Sequence, residues 1–176
     1  MKLYNKTKCP DSILRPLLLR AGKSIGANTS GVVVKVTQGQ SPRTRGVAYK
    51  CFVVYSWHLH GRRKKSRTLL GQQISTNGGF IQISLPGPHP AYDKIVLAQR
   101  FYSIMQHEWA HIKQYQSGQH YATPRTVGGR RIAHDLRPAE KDAYKEVMFA
   151  KKLDSDDLVL ALALYLEENG QIQCLA

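Results

Sequence analysis

The sequence predicts an α+β protein in which a group of strands is flanked by one N-terminal helix and several C-terminal helices. β-branched and aromatic runs concentrate between residues 31 and 85, a long apolar helical pattern covers residues 92–117, and two further helical segments follow. A chain of 176 residues can enclose a core of its own, so we predict a single domain over residues 1–176. A hydrophobic content of 42% excludes a disordered chain.

The N-terminal half is predicted to hold one helix followed by strands. The helix runs from about Asp11 to Ala21, and Gly22 ends it. The basic run at residues 62–67 is typical of a hairpin turn or of a loop at a sheet edge. Strand-like composition, rich in β-branched and aromatic residues, recurs in four segments, at residues 31–37, 47–58, 68–75 and 80–85.

The C-terminal half is predicted to be helical. Three prolines lead into a helix over residues 92–117, which ends before Gly118. Asp135 suits the N-cap of the next helix, with Pro138 in its first turn and an end near residue 153. The last helix is predicted from a Ser155 cap to a stop at Asn169-Gly170, and apolar residues all round it indicate a core helix.

Residues 107–111 read His-Glu-Trp-Ala-His, a pattern that indicates a metal-dependent hydrolase. On a helix, His107 and His111 lie one turn apart on the same face, so both imidazoles can reach one metal ion. Glu108 projects toward a water bound to that metal and can act as a general base. The alternative, an amphipathic helix with two exposed histidines, is disfavoured because so apolar a helix makes buried polar groups costly without a cation.

A catalytic zinc normally has three protein ligands and a water, so a third ligand is needed. The extended pattern H-E-x-x-H-x-x-G-x-x-H is excluded, because position 114 is glutamine and position 117 is serine. Three candidates remain: His120, His134 and Glu140. Glu140 is favoured because it lies on the apolar stripe of the second helix, where the small Ala143 lets the two helices approach.

The segment His107-Glu108-x-x-His111, followed by Glu140-x-x-Ala143 on a second helix, resembles the gluzincin branch of the zincin metallopeptidases. The resemblance covers roughly residues 78–150. It implies that His107, His111 and Glu140 bind Zn2+ and that Glu108 is the general base. It also implies a minimal zincin fold, in which a small, mixed and twisted sheet packs on the active-site helix.

The sequence departs from many gluzincins at one position. They place an aspartate four residues after the ligand glutamate, where it orients a zinc-binding histidine, whereas this chain has Tyr144. The histidines must then be oriented by another group, such as Asp142, Asp135 or a backbone carbonyl. Tyr144 itself has two interpretations, either core packing or a catalytic role in stabilising the oxyanion.

The resemblance also implies where a peptide would bind. In zincins the strand just before the motif helix is a sheet edge, which holds an extended substrate by strand addition. The chain is then a zinc metalloendopeptidase whose substrate is a protein or peptide. The substrate-binding residues implied in this way are Gly79, Phe80, Ile81, Gln82 and Ile83.

The net charge of +14 is unusual for a stand-alone peptidase and points to a polyanionic partner. The alternative is a solvated tip whose charge aids solubility. The cations concentrate in a first cluster and in a glycine-rich loop, and the candidate nucleic-acid-binding residues are Arg62, Arg63, Lys64, Lys65 and Arg67, extended by Arg125, Arg130 and Arg131.

Two other functions fit parts of this pattern. One is a protease resembling the SprT-like class, which cleaves proteins crosslinked to DNA, with His120 or His134 as third ligand; the chain lacks the zinc-ribbon cysteines that many of those proteins carry. The other is a non-catalytic nucleic-acid-binding protein on a zincin scaffold, which would leave Glu108 unexplained.

The cysteines and the apolar runs predict a cytoplasmic protein with no membrane partner. The longest apolar run has nine residues, 158–166, and the polar N-terminal segment does not resemble a secretion signal. Cys9, Cys51 and Cys174 are odd in number and widely spaced, which is typical of free thiols in a reducing compartment. Cys9 could cap the zinc in a latent form, but a buried thiol is the favoured interpretation.

Overall fold

The computed structural model describes residues 1–39, 46–49, 54–57, 63–66, 68–69, 72–73, 78–87, 92–118, 126–127, 130–131, 133, 136–150 and 156–174. In this part of the chain, helices and strands combine as the α+β prediction requires. Their order is β1 (Lys2–Lys6), α1 (Asp11–Ile25), β2 (Val33–Gln38), β3 (Gly46–Tyr49), β4 (Val54–Trp57), β5 (Arg63–Ser66), β6 (Thr68–Leu69), β7 (Gln72–Gln73), β8 (Phe80–Leu85), α2 (Lys94–Gln116), β9 (Thr126–Val127), β10 (Arg130–Arg131), α3 (Pro138–Met148) and α4 (Asp156–Cys174).

The main sheet is mixed and has the strand order β1-β2-β8-β3. β1 and β8 both run parallel to β2, whereas β3 runs antiparallel to β8. Strand β1 was not predicted, because its polar residues are typical of an irregular segment. It forms a strand because its whole length pairs with β2, from Lys2 opposite Val33 to Lys6 opposite Thr37.

The remaining strands form three short antiparallel pairs, β4 with β5, β6 with β7, and β9 with β10. The first pair corrects the prediction for the basic run. Arg63–Ser66 is not a turn, because its backbone pairs with Val54–Trp57 along the full length of the strand. The predicted strand 47–58 is likewise divided between β3 in the main sheet and β4 in this separate pair.

One apolar cluster joins the inner face of the sheet to all four helices. Strand alternation directs Val34 and Val36 of β2 and Ile81 and Ile83 of β8 to this face, and none of them is exposed. Helices α1 and α2 cover the sheet, and α4 packs against both helices. The motif helix is thereby fixed between the sheet and the other helices.

Helix α1 is longer than predicted, because Gly22 does not end it. The helix continues to Ile25 and closes at Gly26, whose φ of 73° is the left-handed conformation that favours glycine. Gly22 instead marks a close helix crossing. A Cβ atom there would lie 3.0 Å from the Trp109 ring and 2.9 Å from Cγ2 of Thr29. The glycine therefore lets α1 pack directly against the motif segment of α2.

Helix α2 begins two residues later than predicted, because Asp93 caps it. The Asp93 carboxylate accepts hydrogen bonds from the backbone N–H groups of Ile95 and Val96, at 2.7 and 3.3 Å. These two residues are exposed, so the first turn is not buried as the apolar pattern had indicated. Burial deepens along the helix, and Trp109, in the middle of the motif, is fully buried.

Helix α3 begins at Pro138, so the predicted N-cap at Asp135 is wrong. Arg137 is extended, with ψ of 142°, because a residue that precedes proline is kept out of the helical conformation. The helix ends at Met148, several residues before the predicted end. Only Glu140 and Ala143 of α3 are buried.

Helix α4 continues to Cys174, so the predicted stop at Asn169-Gly170 is wrong. The core-helix prediction holds for one side only. Leu162 and Leu166 are buried, whereas Leu160 and Leu164 are half exposed. No helix of the described part of the chain is long and apolar enough to cross a membrane.

Cys9 is a buried thiol in the main core. Burial, and next the negative charge of Asp11, raise the pKa of the Cys9 thiol to about 12. A thiol that stays protonated near neutral pH is a poor nucleophile and a poor metal ligand. The structure therefore favours the buried thiol over a latent zinc cap.

We expect Cys9 to stabilise the fold less as the pH rises. The pKa of this thiol is close to the ordinary value of 9.0 in the unfolded chain and is about 12 in the folded protein. Its stabilising contribution is therefore complete below about pH 9 and is lost between about pH 9 and 12. Denaturant unfolding of the wild type and of Cys9→Ala should show a difference that narrows across this window. A difference that is independent of pH would contradict the assignment.

Candidate metal centre

His107, His111 and Glu140 meet at one point between α2 and α3. Nε2 of His107 lies 3.0 Å from Oε2 of Glu140, and Nε2 of His111 lies 3.2 Å from the same oxygen. The two ring nitrogens are 3.1 Å apart. The imidazoles are perpendicular, with an interplanar angle of 87°, so both nitrogens face the carboxylate. The three atoms form a nearly equilateral triangle.

This triangle fits a small cation. Metal–ligand bonds of about 2.0–2.2 Å in a tetrahedral site place neighbouring ligand atoms about 3.3–3.6 Å apart. The observed separations of 3.0 to 3.2 Å are slightly shorter than this range. A proton on Nε2 of His107 could account for the two edges that meet at this nitrogen, but the third edge, between Nε2 of His111 and Glu140, would then join two acceptors. A cation shared by all three atoms would account for every edge.

Helix geometry and burial bring the three side chains together. His107 and His111 are one turn apart on α2, and Glu140 reaches them from the first turn of α3. The three side chains are only 11 to 12% exposed. Ala143, one turn after Glu140, is fully buried and small, which allows α3 to approach α2 closely. The donor set of two imidazoles and one carboxylate could hold a metal ion.

Gln114 orients His111, a role that the sequence did not reveal. Its Nε2 donates to the carbonyl oxygen of Ala139 at 3.0 Å, so its Oε1 must face the other way. That oxygen lies 2.9 Å from Nδ1 of His111. Because a carbonyl oxygen can only accept, Nδ1 carries the proton, and Nε2 of the neutral ring presents its lone pair to the site. For His111, the orienting group is therefore a side-chain amide.

Glu108 is 4% exposed and lies against the backbone of β3. A Cβ atom on Gly46 would stand 2.6 Å from Oε1 of Glu108 and 2.7 Å from its Cγ. Only glycine leaves room for the strand and the carboxylate together. The sequence analysis did not identify this contact, because Gly46 lies just before the predicted strand 47–58 and no local pattern links it to Glu108.

Tyr144 lies at the rim of the site rather than in the core. The residue is 51% exposed, so the core-packing interpretation is wrong. Its ring centroid lies 4.6 Å from that of His107, with the planes tilted by 43°. The phenol therefore shields one face of a candidate ligand while remaining accessible to solvent.

The predicted substrate edge is wrong. Residues of β8 pair with β2 on one side and with β3 on the other, so this strand is internal. β8 is internal because β3 pairs antiparallel with it on the side that was predicted to be open. In the described part of the chain, β3 is the terminal strand on this side of the sheet. The prediction fails for Gly79, Phe80, Ile81, Gln82 and Ile83, of which only Gln82 is exposed.

Several other predicted residues lie outside the described part. They include the alternative ligands His120 and His134 and the suggested orienting residue Asp135. Of the basic residues, only the backbone of β5 and β10 is described, so their candidate role stays a prediction. The cations concerned are Arg62, Arg63, Lys64, Lys65, Arg67, Arg125, Arg130 and Arg131.

Comparison with known proteins identifies no relative of this chain. No family model, no curated protein and no solved structure matches the chain. Its function must therefore be inferred from the site itself.

We expect Gln114→Ala to weaken metal binding about 10- to 100-fold without unfolding the protein. The reason is that His111 loses the acceptor that fixes its tautomer and ring orientation. Competition with a chromogenic chelator would measure the affinity, and circular dichroism would check the fold.

Gln106→Ala is the matched control for this prediction. Gln106 is also a glutamine on α2 whose side chain forms a hydrogen bond. It donates to the hydroxyl of Ser24 on α1 and does not contact His107 or His111 through this bond. Its removal should leave the metal affinity unchanged. Equal losses in both variants would mean that Gln114 supports the helix rather than the histidine.

Proposed function

We propose that this protein is a zinc-dependent metallopeptidase of the gluzincin type, with a zincin layout of sheet and motif helix. His107, His111 and Glu140 hold Zn2+ in this proposal. The observation that supports it most is the convergence of three ligand atoms to within 3.2 Å of one another, although Glu140 lies 29 residues beyond His111. Neutral imidazole and carboxylate ligands in a tetrahedral arrangement suit zinc.

The proposed reaction is hydrolysis of a peptide bond. When bound, a zinc ion supplies a Lewis acid that lowers the pKa of a water molecule and polarises the substrate carbonyl. Glu108 follows His107 directly on the helix and takes a proton from the attacking water. It then returns that proton to the nitrogen of the leaving amine. Burial of Glu108 beneath Gly46 supports this role, because it holds the carboxylate in one position.

The substrate-binding edge in this proposal is β3 rather than β8. An extended peptide would pair with the outer side of β3, which is the terminal strand among the described residues and passes over Glu108. A backbone held there runs alongside the general base. Tyr144, exposed and in contact with His107, is the candidate for stabilising the oxyanion.

We expect Glu108→Gln to abolish hydrolysis while leaving zinc and fold in place. Loss of a general base costs about 10²–10⁴-fold in rate. Digestion of an unfolded protein substrate would measure activity, and elemental analysis would measure zinc. The matched control is Glu146→Gln, which removes an exposed carboxylate that pairs with Lys113 at 2.7 Å and should leave the rate unchanged. Undiminished turnover of Glu108→Gln would refute the mechanism.

We expect Glu140→Ala to lose stoichiometric zinc, whereas His120→Ala and His134→Ala keep it. Removal of Glu140 takes away one of three ligands and leaves two imidazoles, which is too few for a stable zinc site. Elemental analysis after dialysis against a weak chelator would compare the three variants. Retention in Glu140→Ala, together with loss in either histidine variant, would instead favour the arrangement that resembles the SprT-like proteases.

A further inference from the structure

The positive charge of this protein belongs almost entirely to its N-terminal half. Residues 12–92 contain twelve lysines and arginines and no aspartate or glutamate, whereas residues 93–176 contain eleven cations and eleven acids. The main sheet is built from the first of these halves and from the N-terminal strand, and α2, α3 and α4 come from the second. The excess of positive charge therefore lies in the part of the chain that supplies α1, the main sheet and the strand pairs β4–β5 and β6–β7.

Strand register collects part of this charge on one face of the sheet. Tyr4 pairs with Lys35, and Lys35 pairs with Gln82, so these side chains share a face. This face is opposite to the one that enters the main core and supports α2. We call it the outer sheet face, and its members with polar groups are Lys2, Tyr4, Lys6, Lys35, Thr37, Gln82 and Ser84. Val33 and Phe80 also belong to this face but are buried beside Tyr4, so the accessible part of the face is the part that carries the polar side chains.

The lysines of the outer sheet face have no acidic counterpart. Within the described part of the chain, none of Lys2, Lys6 and Lys35 has a carboxylate within 4.0 Å, and Nζ of Lys2 lies over the Tyr4 ring at 5.1 Å. In helices α2 and α3, by contrast, three lysines form ion pairs with acids, with nitrogen–oxygen distances of 2.7 to 3.9 Å. An uncompensated set of cations attracts an external anion.

The spacing of the lysines fits a linear polyanion rather than a single small anion. Lys2 and Lys6 are four residues apart on one strand, a separation of about 13 Å at the usual rise of a strand. Cations spread over this length can contact successive phosphates of a polymer. Thr37, Gln82 and Ser84 lie among the lysines and can donate hydrogen bonds to phosphate oxygens.

We propose that the outer sheet face binds the backbone of a nucleic acid, on the side of the sheet opposite to the metal centre. A membrane surface fits less well, because the exposed large apolar residues of the described part lie in the helical layer and its flanking loops, and none is on this face. This inference does not depend on the proposed peptidase activity.

Two variants of equal net charge test the proposal: one reverses the charge of three lysines on the outer sheet face, and the other reverses three cations elsewhere. The test variant carries Lys2→Glu, Lys6→Glu and Lys35→Glu. The control carries Arg100→Glu, Lys141→Glu and Lys145→Glu, three exposed cations of the helical layer. Fluorescence anisotropy with labelled single-stranded and duplex DNA, between about 50 and 200 mM salt, would measure the affinity and its salt dependence. Anionic vesicles and polyglutamate serve as alternative polyanions.

The wild type should bind DNA with an affinity that falls steeply with salt. The test variant should weaken binding about tenfold or more and reduce the log–log salt slope by about two to three, because three phosphate contacts are lost. The control should change the slope much less. The same substitutions to glutamine, with thermal melting of each variant, separate loss of binding from loss of fold.

Three results would overturn the proposal. The first is the absence of DNA binding by the wild type at low salt. The second is an equal loss in test and control variants, which would indicate a response to net charge alone. The third is binding to vesicles or polyglutamate that is as tight as binding to DNA, which would mean that the face does not select a nucleic acid.

Discussion

Burial of polar groups beside an apolar core is the constraint on which the rest of this structure depends. Two imidazoles and the carboxylate of Glu140 are nearly buried at one point, and an uncompensated charge in such a place costs several kcal/mol. The surrounding elements are arranged so that these groups compensate one another. Gln114 satisfies His111, Ala143 lets α3 approach, and Gly46 leaves room for Glu108.

The same constraint explains the division of the molecule into layers. The part of helix α2 that carries the histidines is enclosed by the sheet, by α1 across Gly22 and by α4. Every acid of the described residues lies in a helix or at a helix N-cap, and three of these acids pair with lysines. The sheet contributes shape and positive charge but no carboxylate. The candidate metal centre and the outer sheet face thus lie on opposite sides of the main sheet.

Local patterns predicted the residues of the site better than they predicted the sheet. His107, Glu108 and His111 are recognisable because helical spacing alone brings the two histidines together, and Glu140 stands out as an acid on an apolar stripe. Gln114 could not be found in this way, because its role depends on the Ala139 carbonyl of another helix. Gly46 and the internal position of β8 depend on strand order, which no local periodicity encodes.

Helix α3 is the least anchored of the elements that carry the site, and it supplies Glu140. It has eleven residues, no side-chain N-cap and only two buried side chains, one of which is Glu140 itself. Docking of α3 and occupancy of the site are therefore thermodynamically linked. A cation that binds all three side chains acts as a crosslink between α2 and α3. The free energy by which the cation stabilises the docked position of α3 equals the free energy by which docking of α3 strengthens cation binding. The measured affinity of this site would report on helix docking as much as on coordination.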